Sequence, residues 1–311
     1  MSTSIEELPD LSLTVKNKLI ESGFTSIESV SVAPVREITE LTGIGEKIVH
    51  QLINAARDHL KIQFQSAKEL WKKRQDTYKI TTGSERLDDL LGGGVETRSI
   101  TEVFGEYATG KTQLAHQLCV TAQLPIEKGG VNGSALFIDA EGTFRPDRIV
   151  QIGERFGFDD SVLDKVYYIR AYNSDHQQLI LEKSSQILKD NNIKILIIDS
   201  VMTHLRAEFI GRGMLSDRQQ KLNKFLHKLH QIADIFNLAV LVSNQVMSSP
   251  GVVFGDATVP TGGNIIGHSS TFRVYLRKSK ANRRIARLID SPCLPEGESL
   301  FVITQYGIED P

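Results

Sequence analysis

Gly105-Glu106-Tyr107-Ala108-Thr109-Gly110-Lys111-Thr112 decides the fold of this chain. It fits G-x-x-x-x-G-K-[ST], in which backbone N–H groups cradle phosphates, the lysine reaches the terminal phosphates and the threonine hydroxyl helps to hold Mg²⁺. The context agrees with the motif. Ser99 to Phe104 forms a short strand-like run before it, and Gln113 to Leu118 continues as a helix whose N-terminus faces the phosphates. A chance glycine-rich turn would carry neither flank.

Outward from the loop, short β-branched, apolar runs alternate with helical stretches. The runs are Ala135–Asp139, Val166–Ile169, Ile195–Asp199 and Leu238–Val242. This pattern predicts an α/β core: a mostly parallel sheet covered by helices on both faces. The longest helix starts near Ser216 and places Leu222, Phe225, Leu226, Leu229, Ile232, Ala233 and Phe236 on its core side, with Lys221, Lys224 and Lys228 opposite. Thr271–Arg277 and Arg284–Asp290 bracket Ser279–Asn282, which predicts an antiparallel hairpin near the C-terminus.

Residues 1–60 read as a small all-helical domain. Leu13, Val15, Leu19 and Ile20 mark one amphipathic set, and Ile48, Val49, Leu52 and Ile53 another. Between them Leu41-Thr42-Gly43-Ile44-Gly45-Glu46-Lys47 resembles the turn of helix-hairpin-helix modules, which presents backbone N–H groups to a phosphate. The alternative is a plain corner of a protein-interaction domain. Nine acidic against five basic side chains in residues 1–60 favour that alternative. Residues 61–76 then form a connector. Ile62 to Ala67 alternates apolar and polar residues, so it is either an edge strand seeking a partner or a linker that packs Phe64 on its own core. The remaining residues, 77–311, hold the phosphate loop.

The chain has 311 residues, 40% hydrophobic and 24% charged, enough for one sizeable core and one small domain. No apolar run reaches membrane-spanning length, and Met1–Asp10 is too polar for a signal peptide. Cys119 and Cys293 lie far apart without metal-ligand spacing, which points to free thiols in a reducing, cytoplasmic setting. The net charge of −2 conceals an asymmetry. From Ala257 to Ile289 there is no carboxylate, whereas Arg273, Arg277, Lys278, Lys280, Arg283, Arg284 and Arg287 crowd together. A polyanionic partner should therefore meet the C-terminal half.

Nucleotide hydrolysis needs a metal, a positioned water and compensation for developing negative charge. Asp199 closes an apolar strand, where a carboxylate can hold Mg²⁺ together with Thr112. Glu141 follows another strand end and can orient or deprotonate a water. Gln245 follows a third and can sense the terminal phosphate, but taken alone it reads more readily as a satisfied loop amide. Two stretches, Arg206–Leu215 and Val246–Ile265, have the composition of functional loops at the sheet's carboxyl edge, and they suit a site that tracks a single strand.

Taken in order, these segments resemble the archaeal RadA recombinases of the RecA superfamily. The likeness runs through Gly105–Thr112, Phe137–Pro146, Arg218–Lys224, Ser243–Met247, Gly262–His268 and Leu288–Glu296. It implies a RecA-type core with C-terminal antiparallel strands and an N-terminal helix-hairpin-helix domain. It also implies a DNA-dependent ATPase that uses ATP and Mg²⁺, forms helical filaments or rings with itself on single-stranded DNA, and exchanges strands with homologous double-stranded DNA in recombination and repair, in a nucleoid-associated setting.

The same resemblance assigns roles. Glu141, Lys111 and Gln245 are the catalytic group. Gly105, Glu106, Tyr107, Ala108, Thr109, Gly110, Lys111, Thr112 and Gln113 hold the nucleotide. Arg148 is matched to an arginine that stacks on adenine, and Asp290 and Pro292 to a cap over ATP bound by a neighbouring subunit. Thr112 and Asp199 serve the metal. Arg206, Phe209, Arg212, Arg218, Val252, Val253 and Gly263 are matched to DNA contacts. Phe64 and Ala67 fit a Phe-x-x-Ala polymerisation motif, which favours the edge-strand reading of the connector. His268 is matched to a coupling histidine, with a buried structural histidine as the alternative.

Four departures from the family pattern stand out. Ala108-Thr109 replaces a common Gly-Ser, Ala140 a common threonine and Asp10 a frequent hairpin glycine, and Ser279–Asn282 lacks the usual glycines. Two rivals are a recombinase paralogue that regulates assembly without exchanging strands and a phosphate-loop kinase for small metabolites. Intact Lys111, Thr112, Glu141 and Asp199 argue against the first. No acceptor pocket or lid supports the second, which also leaves Phe64 unexplained.

Overall fold

Apolar runs that are buried on both sides build the centre of the larger unit. The computed structural model describes residues 4–8, 11–60, 65–248 and 258–311. It divides into two compact units, Met1–Gln75 and Asp76–Pro311.

In the first unit, α1 (Leu13–Glu21), α2 (Ile27–Val32), α3 (Val35–Thr42) and α4 (Glu46–Leu60) enclose a core around Leu19, Ile27, Val30, Ile38, Val49 and Leu52. Ser26 and Ser29 form a reciprocal capping box at the start of α2. Gly43 ends α3 in the left-handed region at φ 65°, and Ile44 is buried behind it. Two of the expected core positions of α1 differ: Leu13 and Ile20 face solvent, while Leu19 alone of that set is fully buried. Ile48 of α4 is exposed as well. The helix α5 (Ala67–Lys73) starts from a Ser66–Glu69 capping box and buries none of its residues.

In the second unit β1 (Lys79–Ile80) pairs with β2 (Val95–Glu96) as a separate two-stranded sheet, with α6 (Glu85–Leu90) between them. The main sheet contains β3 (Ile100–Gly105), β4 (Ser134–Asp139), β5 (Val166–Arg170), β6 (Ile193–Asp199) and β7 (Ala239–Ser248). Its remaining strands are β8 (Thr258–Pro260), β9 (Phe272–Lys278), β10 (Arg283–Asp290), β11 (Gly297–Thr304) and β12 (Gly307–Glu309). The order is β12-β11-β10-β9-β3-β7-β6-β4-β5, with β8 beside β7. Neighbours from β9 through β5 run parallel, whereas β9 to β12 form antiparallel pairs.

Alternation along the strands feeds two cores. Phe137, Ile195, Ile197, Leu241 and Val274 point to one face, where α7 (Lys111–Thr121) and α8 (Pro146–Arg155) pack. Leu136, Ile138, Leu196, Ile198, Val240 and Val242 point to the other, covered by α9 (Ser174–Lys183), α10 (Ser185–Asp190) and α12 (Leu215–Phe236). Lys221 departs from its expected place on the solvent side of α12. Its ammonium lies 2.6 Å from Asp175 and over the Phe209 ring.

Both stretches expected to lack regular structure contain some. α11 (Thr203–Glu208) carries Arg206, and Arg212–Met214 forms a 3-10 turn, so only 209–211 is irregular. In the second stretch β7 runs on to Ser248 and pairs with β8, opposing Val246 to Pro260. α13 (Asn264–Ser269) follows. The glycines at 211, 213, 262 and 263 and Pro260 suggest loops by composition; Gly211 and Gly262 do lie in bends or turns, whereas Gly213 falls in the 3-10 turn, Gly263 caps α13 and Pro260 is paired.

Candidate functional site

The parallel order brings the ends of β3, β7, β6 and β4 side by side. Gly105 pairs in register with Gln245, and Asp139 with Asp199. Sequence-distant candidates therefore meet at one carboxyl edge, where open α/β sheets bind ligands.

Gly105 must be glycine on packing grounds: a Cβ there would stand 2.2 Å from the Leu276 carbonyl oxygen. The loop then turns, with the Thr109 hydroxyl donating to the Glu106 carbonyl at 2.9 Å. Gly110 caps α7, so the helix begins at Lys111. The Lys111 ammonium donates to the carbonyls of Gly105 and Glu106, both at 2.8 Å. Burial pulls its pKa down, while Asp199 and Glu141 oppose that shift. Tyr107 is 90% exposed, and the Lys278 ammonium lies 6.0 Å from its ring centroid.

Ala108 occupies the left-handed region at φ 60°. That conformation costs a residue with a Cβ about 1 kcal/mol, and glycine avoids the cost. Ala108→Gly should therefore raise the stability of the core unit by about 0.5 kcal/mol, the remainder being offset by greater freedom of the unfolded chain. A denaturant midpoint that falls in the variant would contradict this strain.

Beside the loop, the Thr112 hydroxyl donates to Asp199 Oδ2 at 2.6 Å, and the Ser243 hydroxyl donates to Oδ1. Asp199 is buried, and desolvation raises its pKa against the pull of these hydroxyls. Its carboxylate thus accepts from hydroxyl donors, with Thr143 adding one at 3.4 Å. A buried carboxylate with hydroxyl partners, next to a phosphate loop, suits a hard cation that takes one or two protein oxygens and fills its shell with phosphate and water. Among the described residues no cluster of three or more His, Cys, Asp or Glu could hold a metal alone.

Glu141 Oε1 accepts from Gln245 Nε2 and from the Thr203 hydroxyl, each at 2.9 Å. Gln245 Oε1 in turn accepts from the Arg206 guanidinium at 3.3 Å. Glu141 and Gln245 are thus in direct contact, with α11 attached to both. Arg148 spends its in-plane donors on Gln113 Oε1, Gln151 Oε1 and the carbonyls of Thr304 and Gln305. With four of its five N–H donors so engaged, the guanidinium face is the surface on which a planar ring could stack.

Other candidates lie apart from this cluster. Asp290 and Pro292, at and after the end of β10, are exposed. His268 on α13 is exposed rather than a buried structural histidine, and with Gln219, Gln220, Asn223 and Ile265 it lines a cavity of about 350 Å³. Phe209 is partly buried against the core, Arg218 is half-buried on α12, and Gly263 is exposed at φ 61°. Ala67 is exposed at the first position of α5. Phe64, Val252, Val253, Asp10 and the Arg212 side chain lie outside the described residues.

Sequence reasoning missed Thr203, Ser243 and His116, which supply hydroxyl or imidazole contacts at this edge. Asp139 was legible only as a strand end. It accepts four backbone N–H groups from the following residues and pairs with Arg170 at 3.0 Å. Of the cationic cluster, Arg277 and Arg287 pair with Glu298 and Glu296, and Arg273 pairs with the buried Glu102. The charge asymmetry in the sequence is therefore partly neutralised by β3 and β11 and by the segment before β11.

A nucleotide-binding core of the RecA type is the class that this sheet order and phosphate loop define. The chain belongs to the Rad51 family, whose model matches residues 73–311. A second model, the SAM-like helix-hairpin-helix tandem, matches residues 6–58. The chain is 49% identical over 308 residues to the DNA repair and recombination protein RadA of Aeropyrum pernix, covering 99% of this chain and 97% of that protein.

Proposed function

We propose that this protein is a DNA-dependent ATPase that assembles on single-stranded DNA in the presence of ATP and Mg²⁺, pairs that strand with homologous duplex and exchanges strands in recombination and repair. Family membership across nearly the whole chain supports the recombinase class. The observation that carries the coupling of nucleotide to DNA is the run Glu141–Gln245–Arg206. It links the carboxylate beside the phosphate loop to α11, whose Arg206 is exposed at the edge read as the DNA face.

In this reading backbone N–H groups of 105–113 and the Lys111 ammonium bind the phosphates. Thr112 and Asp199 hold Mg²⁺, which supplies charge compensation at the transferred phosphate when bound. Glu141 orients the attacking water and takes its proton. Gln245 passes a change at the terminal phosphate to Arg206. Arg148 offers its face to adenine, and Asp290 and Pro292 close over nucleotide held by the next copy. Arg212, Arg218, Val252, Val253 and Gly263 extend the DNA surface, with Phe209 supporting it from beneath. His268 links nucleotide to that surface.

Residues 1–60 form the helix-hairpin-helix domain, 61–76 the connector and 77–311 the ATPase core. Phe64 and Ala67 join one copy to the next. Among the described residues no helix is long and apolar enough to cross a membrane; a cytoplasmic, nucleoid-associated location accords with the proposed substrate. The deciding experiment is strand exchange between a circular single strand and its linear duplex. Joint molecules should form with ATP and with a non-hydrolysable analogue, and not with ADP. Nucleotide-independent or absent exchange would leave an assembly regulator as the better description.

A further inference from the structure

From Glu141 to Arg145 every backbone N–H is taken by a side chain. Asp139 Oδ1 accepts from Glu141 at 2.9 Å, Gly142 at 2.6 Å and Thr143 at 3.3 Å, and its Oδ2 accepts from Phe144 at 3.2 Å. The fifth N–H, that of Arg145, donates to His116 Nε2 at 3.1 Å. Asp139 anchors the segment to its own strand end. His116 anchors it to a different element, α7.

Accepting at Nε2 leaves the proton of the neutral imidazole on Nδ1, which donates to the Thr112 carbonyl at 2.7 Å. Thr112 is also the residue whose hydroxyl meets Asp199. The ring is 1% exposed, stacks on Phe144 with centroids 5.4 Å apart and leans on Phe137. It is a rigid strut with one hydrogen bond at each end. A second, longer tie runs from the Thr143 hydroxyl to Asp199 at 3.4 Å.

We propose that His116 is a positioning residue for Glu141, carrying the placement of the first turn of α7 to the segment that bears this carboxylate. The proposal rests on the reading of Glu141 as the group that orients water. Nucleotide seated on the phosphate loop sets Thr112; Thr112 sets the imidazole; the imidazole sets Arg145, which caps α8 and closes the segment begun at Glu141. Displacement of a reacting group by about 1 Å costs on the order of 10²-fold in rate, so a strut of this kind acts on turnover rather than on affinity.

Two variants separate the strut from simple packing. His116→Asn keeps an N–H near the Nδ1 position for Thr112 but leaves the Arg145 N–H without its acceptor. His116→Gln places a carbonyl oxygen near the Nε2 position and keeps that bond. Both lose the ring. DNA-stimulated ATP hydrolysis by His116→Asn should fall about tenfold or more in kcat with KM for ATP within about twofold of the parent, whereas His116→Gln should retain kcat to within about threefold. Equal losses in both variants, a loss of ATP binding in His116→Asn, or parent-like turnover in His116→Asn would each overturn the proposal. Glu141→Gln, measured alongside, separates the two readings: if it turns over like the parent, the role of Glu141 fails first; if it is inactive while His116→Asn is active, only the strut fails.

Discussion

Lys111→Ala should lower kcat/KM for ATP by about 10³-fold or more, a loss of roughly 4 kcal/mol of transition-state stabilisation. The ammonium is partly buried at the start of α7 and, under the proposed function, is the cation that the loop itself would provide for a terminal phosphate. Its two carbonyl partners, Gly105 and Glu106, belong to the same loop, so it is folded back where a phosphate oxygen can replace them. Removing it leaves Asp199 and Glu141 facing a polyanionic ligand without a compensating charge from α7. The fold should survive, because Gly110, Thr109 and the packing of α7 on the sheet do not depend on this side chain. Circular dichroism should match the parent, whereas ATP hydrolysis and ATP-driven strand exchange should vanish. Near-normal turnover would remove Gly105–Thr112 from consideration as the working nucleotide site.

Much of this edge is legible before any coordinates. The runs that form β3, β4, β6 and β7 are strings of β-branched and apolar residues, and burial on both faces of a parallel sheet demands that composition. Glu141, Asp199 and Gln245 stand out in the sequence because a polar residue breaks an apolar run at or near its carboxyl end, although β7 continues past Gln245 to Ser248. What the sequence does not disclose is pairing across distance. Nothing in the spacing of Thr203 and Glu141 shows that a hydroxyl will donate to that carboxylate, because α11 is short and its register follows from how it leaves β6. His116 reads as one more helical residue of an almost wholly buried α7, and a helix buried on all sides has little periodicity to single out a special position. The stretch around Pro260 misleads for a related reason. Glycine and proline signal breaks in the chain, yet antiparallel pairing with the end of β7 absorbs Pro260 at an edge strand. Exposure of Leu13 and Ile20 has a simpler cause: α1 is nine residues long and offers only Leu19 to the centre of a small core.

Glu141→Gln should bind ATP at least as well as the parent yet hydrolyse it about 10²- to 10³-fold more slowly. The amide retains an oxygen at the Oε1 position, so the Thr203 and Gln245 hydrogen bonds, each 2.9 Å in the parent, can persist and the geometry of the edge is conserved. What is lost is the ability to take a proton from water. Removing a negative charge beside Lys111 and Asp199 also relieves repulsion toward a triphosphate, which favours binding while turnover falls. Complexes of the variant with single-stranded DNA should therefore outlast those of the parent when ATP is supplied, and strand pairing should proceed. Parent-like turnover would exclude Glu141 as the group that activates water. Slow turnover together with short-lived DNA complexes would separate hydrolysis from release, because the Gln245–Arg206 contact would then respond to something other than the terminal phosphate. If the complexes persist instead, nucleotide hydrolysis acts as the signal for letting go of DNA, and the ATP-bound state alone suffices for pairing.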